Sequence, residues 1–323
     1  MQEQSLIHAL LLDGQGGASE LDWQAVKRWQ PEDGILWVHL DYSQPESIQY
    51  LEQDSGVNPI VCDALLTGET RPRTIRVENG LLLALRGVNL NPGADPDDMV
   101  SVRLWVEQGR IISTRKRRLL SVTDVANALK AGEGPASADE VLASILSRLV
   151  VRMSDTVDYF EEQVADFEEQ ALEQQNAQMR ADLGRVRRQI ISLRRYLAPQ
   201  REAISQLLLD RFEWIGRDVR LSFQETLDSL MRHVEDLDAV RERAAVTQEE
   251  IGNQLAEQMN SRMYVLSIVA AFFLPLGFLT GLLGINVGGI PGAENPLGFG
   301  VFIGLLILVC ALQVVWFKRK GWL

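Results

Sequence analysis

The sequence predicts an α/β domain at the N-terminus, followed by a long helical stalk and two transmembrane helices. Three observations support this fold class. Short strand-like and helix-like stretches alternate over the first ~120 residues, whereas helix-forming Leu, Ala, Glu, Gln and Arg dominate beyond Ala138. Two stretches near the C-terminus contain no Asp, Glu, Lys or Arg. We therefore place the three domains at 1–135, 136–262 and 263–323.

The first domain contains six candidate strands and three candidate helices. The strands are predicted at 6–12, 35–40, 74–78, 81–89, 100–107 and 110–115, and the helices at 22–29, 45–55 and 58–66. The glycine turns "ENG" and "EQG" favour hairpins between neighbouring strands, because Gly tolerates positive φ. Stretches rich in Gly, Pro and Asp at 91–98 and 131–140 predict exposed connectors.

The stalk contains two charged helices followed by one very long helix. The helix at 139–175 is acidic in its later part and the helix at 181–197 is basic, so we expect an antiparallel hairpin that pairs opposite charges. The long helix begins near Gly216 and meets no proline before Pro275. If it continues through the first span to Leu283, it is about 100 Å long at ~1.5 Å per residue. Such a helix requires partners, most simply its copies in other subunits.

The membrane domain contains two spans joined by a short loop. A bilayer core of ~30 Å needs about 20 helical residues, and the uncharged stretches 263–283 and 297–317 each fit one crossing. The tail 318–323 begins with three basic residues and Arg262 precedes the first span, whereas the loop 284–296 has no basic residue. The positive-inside rule therefore places both termini in the cytoplasm and the loop outside.

Charge and cysteine content exclude several function classes. The formal net charge of -12 favours cations rather than nucleic acid as partners. Cys62 and Cys310 lie far apart and Cys310 falls within a span, so the sequence predicts neither a disulfide framework nor a cysteine-rich zinc site. The chain has no phosphate-binding glycine loop, nucleophile elbow or metal-hydrolase pair, so we expect neither an enzyme nor a bound cofactor.

A seven-residue spacing follows the long helix into the membrane. One line contains Asp228, Glu235, Glu242, Glu249, Ala256, Met263, Ala270, Gly277 and Gly284, and a companion line contains Asn253, Asn260, Ser267, Leu274 and Gly281. Positions at this spacing face one axis in a helical bundle. We call these two lines together the seam. Within the membrane, Pro275 also frees the backbone carbonyl of Ala271, for either a plain kink or a functional bend.

The chemistry of the seam permits two interpretations. A packed coiled coil would have Leu or Ile at these positions, so the seam favours a water-filled ion path. Its carboxylates would gather cations in the cytoplasm, and its small side chains would leave room within the bilayer. A solvated stalk face with charges at chance spacing explains the periodicity equally well.

The loop after the first span contains a motif that favours the ion path. Gly284-Ile285-Asn286 follows "FLPLGFLTGLL", and the chain ends in the basic tail "KRKGWL". Together with the long helix and the two terminal spans, these features resemble the CorA-type metal-ion transporters, which have Gly-Met-Asn at this place. Ile285 replaces the Met, and Gly-Ile-Asn resembles the ZntB zinc-transporter branch of that family. The resemblance covers about the last third of the chain.

The resemblance implies a funnel-shaped homopentamer in a bacterial inner membrane, with the first spans around one axial pore. Asn286 would form a ring of amides at the outer mouth, where amide oxygens can orient the water shell of a hydrated cation. Glu294 would attract cations outside or lie solvated in the loop. Thr280 would join the seam in lining the pore, and Asn260 is the best supported member, because an Asn also precedes the first span in this family.

The identity of the cargo follows from the resemblance rather than from residue chemistry. Zinc prefers His and Cys ligands, whereas magnesium keeps its water and takes oxygen, and the three histidines of the chain lie far apart in sequence. The Gly-Ile-Asn variant implies zinc uptake. Whether this uptake is coupled to protons stays open, because the first span contains no His or acidic residue to carry them. A CorA-like magnesium channel gated by cytoplasmic metal is the alternative.

A third hypothesis is a membrane-tethered interaction module whose spans only anchor it. Such an anchor would be expected to have lipid-compatible Leu or Ile at the positions of Gly277, Gly281 and Gly284. The glycines therefore count against a simple anchor.

Overall fold

The computed structural model describes residues 5–68, 71–173, 177–209, 212–284, 290 and 295–321. The chain divides into two compact units, Met1–Gln174 with Gln178–Glu249, and Gln175–Ala177 with Glu250–Leu323. The first unit contains a β-sheet and charged helices, and the second contains two apolar helical segments.

The first unit is built around a seven-stranded sheet. Its strands are β1 (Leu6–Leu12), β2 (Ala18–Glu20), β3 (Ile35–Asp41), β4 (Arg73–Val77), β5 (Gly80–Val88), β6 (Met99–Glu107) and β7 (Arg110–Arg115). Their spatial order is β2-β1-β3-β7-β6-β5-β4, and only β3 and β7 pair in parallel. The six strands expected from the sequence are found within one residue of their predicted ends. The short edge strand β2 is absent from the sequence prediction.

One glycine turn works differently from the sequence expectation. In the hairpin of β4 and β5, the residue with positive φ is Glu78, at 52°. Gly80 is needed for a different reason, since a Cβ atom there would lie 2.4 Å from the ring of Trp105. The glycine therefore provides space for a core tryptophan rather than backbone freedom.

The helices of the described chain include short helices on the sheet and long helices after it. They are α1 (Trp23–Arg28), α2 (Pro45–Gln49), α3 (Pro59–Leu66), α4 (Leu120–Ala131), α5 (Ala138–Glu173), α6 (Ala177–Leu209), α7 (Arg217–Gly284) and α8 (Gly298–Arg319). The helix predicted at 45–55 is α2 continued by a π-helical turn at Tyr50–Asp54. The predicted fold class, an α/β domain followed by a long helix and two C-terminal apolar helices, is confirmed.

Two helices differ from the sequence prediction. The sequence prediction has no helix at α4, although the helix buries residues at helical spacing, among them Val122, Val125 and Leu129. α6 continues through Pro199 instead of ending near residue 197. The next residue, Gln200, is fully buried, and its Oε1 accepts the backbone N–H of Arg86 in β5 at 2.7 Å. This contact with the sheet stabilises a helix that proline alone would interrupt.

The cytoplasmic half of α7 packs within its own chain. Its buried residues include a heptad line, Phe223, Leu230, Leu237 and Ala244, each fully buried. Arg243 of α7 bonds Glu168 of α5 through Nε at 3.0 Å, and Gln248 donates to the backbone carbonyl of Arg180 in α6 at 3.1 Å. In this half, α5 and α6 of the same chain thus supply partners on one side of the long helix, and other subunits remain the expected partners for its exposed side.

The ion pairs also differ from the expected pairing of α5 with α6. Arg194 of α6 lies 2.7 Å from Asp238 of α7, and Arg243 of α7 pairs with Glu168 of α5. The interhelical ion pairs found among the described stalk residues thus connect α7 to each of its neighbours. The long helix therefore supplies a carboxylate to the basic helix α6 and a guanidinium to the acidic helix α5.

The second unit contains the apolar end of α7 and all of α8. Both helices are long and apolar enough to cross a membrane, and their apolar windows are not buried. Within this unit, Gln313 of α8 donates from Nε2 to the backbone carbonyl of Ala271 in α7 at 3.4 Å. The neighbouring residues Ile268 and Leu279 of α7 are half-buried.

Candidate ion pathway

The acidic members of the seam lie on the uncovered side of α7. Asp228 and Glu235 are each two residues from a fully buried heptad position, Leu230 and Leu237, which is about 200° round a helix. Asp228, Glu235, Glu242 and Glu249 are all exposed. In the part of the chain that the structure describes, none of the four takes part in an ion pair or a side-chain hydrogen bond. Four carboxylates are therefore free on one helix face.

The membrane members of the seam are also uncovered in a single chain. The exposed members are Met263, Ser267, Leu274, Gly277, Gly281 and Gly284, and Ala270 is half-buried. Asn260, which precedes the span, and Thr280, which lies beside the seam, are exposed as well. A Cβ atom at Gly277, Gly281 or Gly284 would meet no other atom within 4 Å. Packing within one chain therefore does not explain these glycines.

Polar groups of the seam within the membrane are few and neutral. The hydroxyl of Thr280 donates to the backbone carbonyl of Leu276 at 2.9 Å, which leaves its oxygen free to accept. Ser267 contributes a second hydroxyl about 20 Å along the axis from Thr280 at ~1.5 Å per residue, and about 140° from it round the helix. Weak neutral oxygens of this kind suit an ion that keeps its water shell.

Part of the motif lies outside the described residues. Gly284 is the last residue of α7, whereas Ile285, Asn286 and Glu294 are not among the described residues. Their roles rest on the sequence motif.

The histidines of the sheet belong to the core rather than to a cation site. The rings of His8 and His39 stack with centroids 4.9 Å apart, and Nδ1 of His39 lies 2.8 Å from the hydroxyl of Ser113. Burial, with Lys130 and Arg115 nearby, lowers the pKa of His8 to about 3. Burial also lowers the pKa of His39 well below its usual value. Both imidazoles are therefore neutral at pH 7, and the neighbouring positive charges disfavour a cation.

A dehydrating metal cage is not seen in the described part of the chain. Within those ranges, no group of three or more His, Cys, Asp or Glu side chains is arranged to hold a metal ion. Cys62 is buried, and its Sγ lies 3.0 Å from the carbonyl of Leu51. Zinc ligation by His and Cys therefore has no site among these residues, and the open seam is the candidate pathway.

Comparison with known proteins identifies the family. Residues 32–319 match the family described as CorA-like Mg2+ transporter protein. The zinc transport protein ZntB of Pectobacterium carotovorum is 38% identical over 323 residues, with 100% of this chain and 98% of the relative covered. The divalent cation transporter CmaX of Pseudomonas aeruginosa is 41% identical over 329 residues, with 99% and 98% covered.

A solved structure agrees with this match along the whole chain. The structure of full-length CmaX aligns with a TM-score of 0.87 at 38% identity and covers 100% of this chain and 99% of that one. The α/β domain, the long helix and the two apolar helices are thus shared with a solved transporter of the same size. This chain belongs to the CorA-like Mg2+ transporter family, and it is a divalent-cation transporter of the inner membrane with two C-terminal transmembrane helices and a cytoplasmic N-terminal domain.

Proposed function

We propose that the chain assembles as a homopentamer whose α7 helices surround one axial pore, and that this pore takes up zinc. The uncovered seam is the observation that supports an axial pore. Its glycines have open space at their Cβ positions, which is the space that neighbouring copies of α7 would need round an axis. Zinc as the cargo is supported by Gly284-Ile285-Asn286 and by ZntB relatives that align along the full chain.

The pathway follows from the chemistry of the seam, from outside to inside. Glu294 raises the cation concentration at the outer mouth, and the amides of Asn286 orient the water shell of the ion. Small residues then leave a passage, with hydroxyl oxygens at Thr280 and Ser267 as weak partners. Asn260 and the four carboxylates of the cytoplasmic seam draw the hydrated ion inward.

Uptake into proteoliposomes tests this proposal. We expect zinc, followed with an internal zinc-sensitive dye, to enter faster than magnesium, and we expect an inward proton gradient to increase zinc entry. Empty liposomes provide the control for leak. Magnesium entry that follows the membrane potential and ignores pH would contradict zinc uptake, and it would support the alternative indicated by the family's description, a magnesium channel.

A further inference from the structure

Gln313 lies in an unusual chemical setting. It is the only Asn, Gln or His in α8, a helix whose other residues up to Phe317 are apolar apart from Cys310. A polar amide within a transmembrane helix is costly unless it finds a hydrogen-bond partner. In the second unit, its Nε2 faces the backbone carbonyl of Ala271 at 3.4 Å.

Ala271 needs such a donor because of the sequence four residues later. In a regular helix its carbonyl would accept the N–H of residue 275, but that residue is Pro275, which has no N–H. A bilayer provides no water to satisfy the carbonyl, so a neighbouring side chain has to do so. The observed contact thus joins the one carbonyl that proline releases to the one amide of the neighbouring helix.

The burial of Gln313 and the state of its Oε1 atom indicate that the contact with Ala271 orients the side-chain amide. Gln313 and Ala271 are both half-buried, and Oε1 of Gln313 has no hydrogen-bond partner among the described residues. The donor end of the amide is therefore the end that is held. Ala271 lies on the side of α7 turned towards α8, whereas Gly277 and Gly281 of the seam are exposed.

We propose that Gln313 is a positioning residue that replaces the donor missing at Pro275 and holds this turn of α7 against α8. The outer part of the seam, from Gly277 to Gly284, follows this turn directly. The contact therefore determines how that part of the seam is presented to the pore. This role rests on the proposed pore along α7, whereas the contact itself can be tested independently of transport.

A double-mutant cycle between the two positions tests the proposal. Gln313→Met keeps the size of the side chain and removes the donor. We expect it to lower zinc flux about threefold, the effect of one side-chain hydrogen bond within a membrane, and to lower the melting temperature by about 2 °C. In the Pro275→Ala background, residue 275 supplies its own N–H to Ala271. There, Gln313→Met should change neither quantity further.

The control is Leu312→Met, which places the same side chain at the neighbouring exposed position and should leave flux and melting temperature unchanged. Equal effects of Gln313→Met in the two backgrounds, or no effect in either, would overturn the proposal. If the unmodified protein moved no zinc, the proposed function would fail, and the melting temperatures of the cycle would still decide whether the contact stabilises the protein.

Discussion

We expect Asn286→Ala to lower zinc flux at least tenfold and to leave the protein assembled in the membrane. In the proposed pore this amide lies at the outer mouth, where five copies would orient the water shell of the entering ion. One hydrogen bond is worth about 0.5–1.5 kcal/mol, and about 1.4 kcal/mol corresponds to a factor of ten. Loss of several such contacts therefore exceeds one order of magnitude. Dye-reported uptake measures flux, and size-exclusion chromatography measures assembly.

Asn295→Ala is the matched control for this substitution. Asn295 lies in the same loop, but its Oδ1 accepts the backbone N–H of Leu297 at 2.9 Å at the start of α8. Asn295 therefore has a local structural role, and we expect zinc flux through the Asn295→Ala variant to stay within about twofold of that of the unmodified protein. Unchanged flux in Asn286→Ala would remove Asn286 from the pathway and contradict the proposed arrangement of the pore.

Replacing Gly281 with Leu should abolish zinc flux. Within one chain a Cβ at Gly281 meets no atom within 4 Å, so the substitution causes no clash in the monomer. In a ring of α7 helices, five leucine side chains would enter the same level of the pore. An apolar constriction of this kind excludes hydrated ions, so we expect a loss of about 100-fold or more, measured as uptake.

Gly304→Leu provides a stringent comparison for this second prediction. Gly304 of α8 is also exposed and also has open space at its Cβ position, yet it lies on the helix that does not line the proposed pore. The two variants add the same side chain to equally open sites. Equal loss of flux in both would indicate a general effect on membrane packing rather than a blocked pathway.

The alternation of apolar stretches and turns was sufficient to predict most of the sheet. β5 and β6 are long, apolar and bounded by turns, so their positions follow from local sequence. β2 is only three residues long and pairs at the edge of β1, so its short stretch has no periodicity of its own. The length of α6 depends on the contact between Gln200 and the backbone of Arg86, residues 114 apart, which local sequence cannot show.

The long helix α7 shows what sequence periodicity can predict and what it cannot. A spacing of seven identified the acidic line from Asp228, which the structure places on an exposed face. The same spacing runs through Phe223 and Leu230, which are fully buried, although the sequence prediction does not include this line. Periodicity shows that a face is regular, but only the fold shows whether α5 and α6 or another subunit covers it. The contact of Gln313 with Ala271 likewise needed both helices in place.

The most direct test of the seam as an ion path is the accessibility of Ser267 to water within the membrane. Ser267→Cys is compared with Val265→Cys, which is exposed at nearly the same depth but about 200° round the helix. Cys310 is replaced by Ala in both variants, and the buried Cys62 is retained. We predict that a cationic, membrane-impermeant thiol reagent modifies Ser267→Cys and blocks zinc flux, that zinc slows this reaction, and that Val265→Cys does not react. Reaction at Val265→Cys with none at Ser267→Cys would contradict the account.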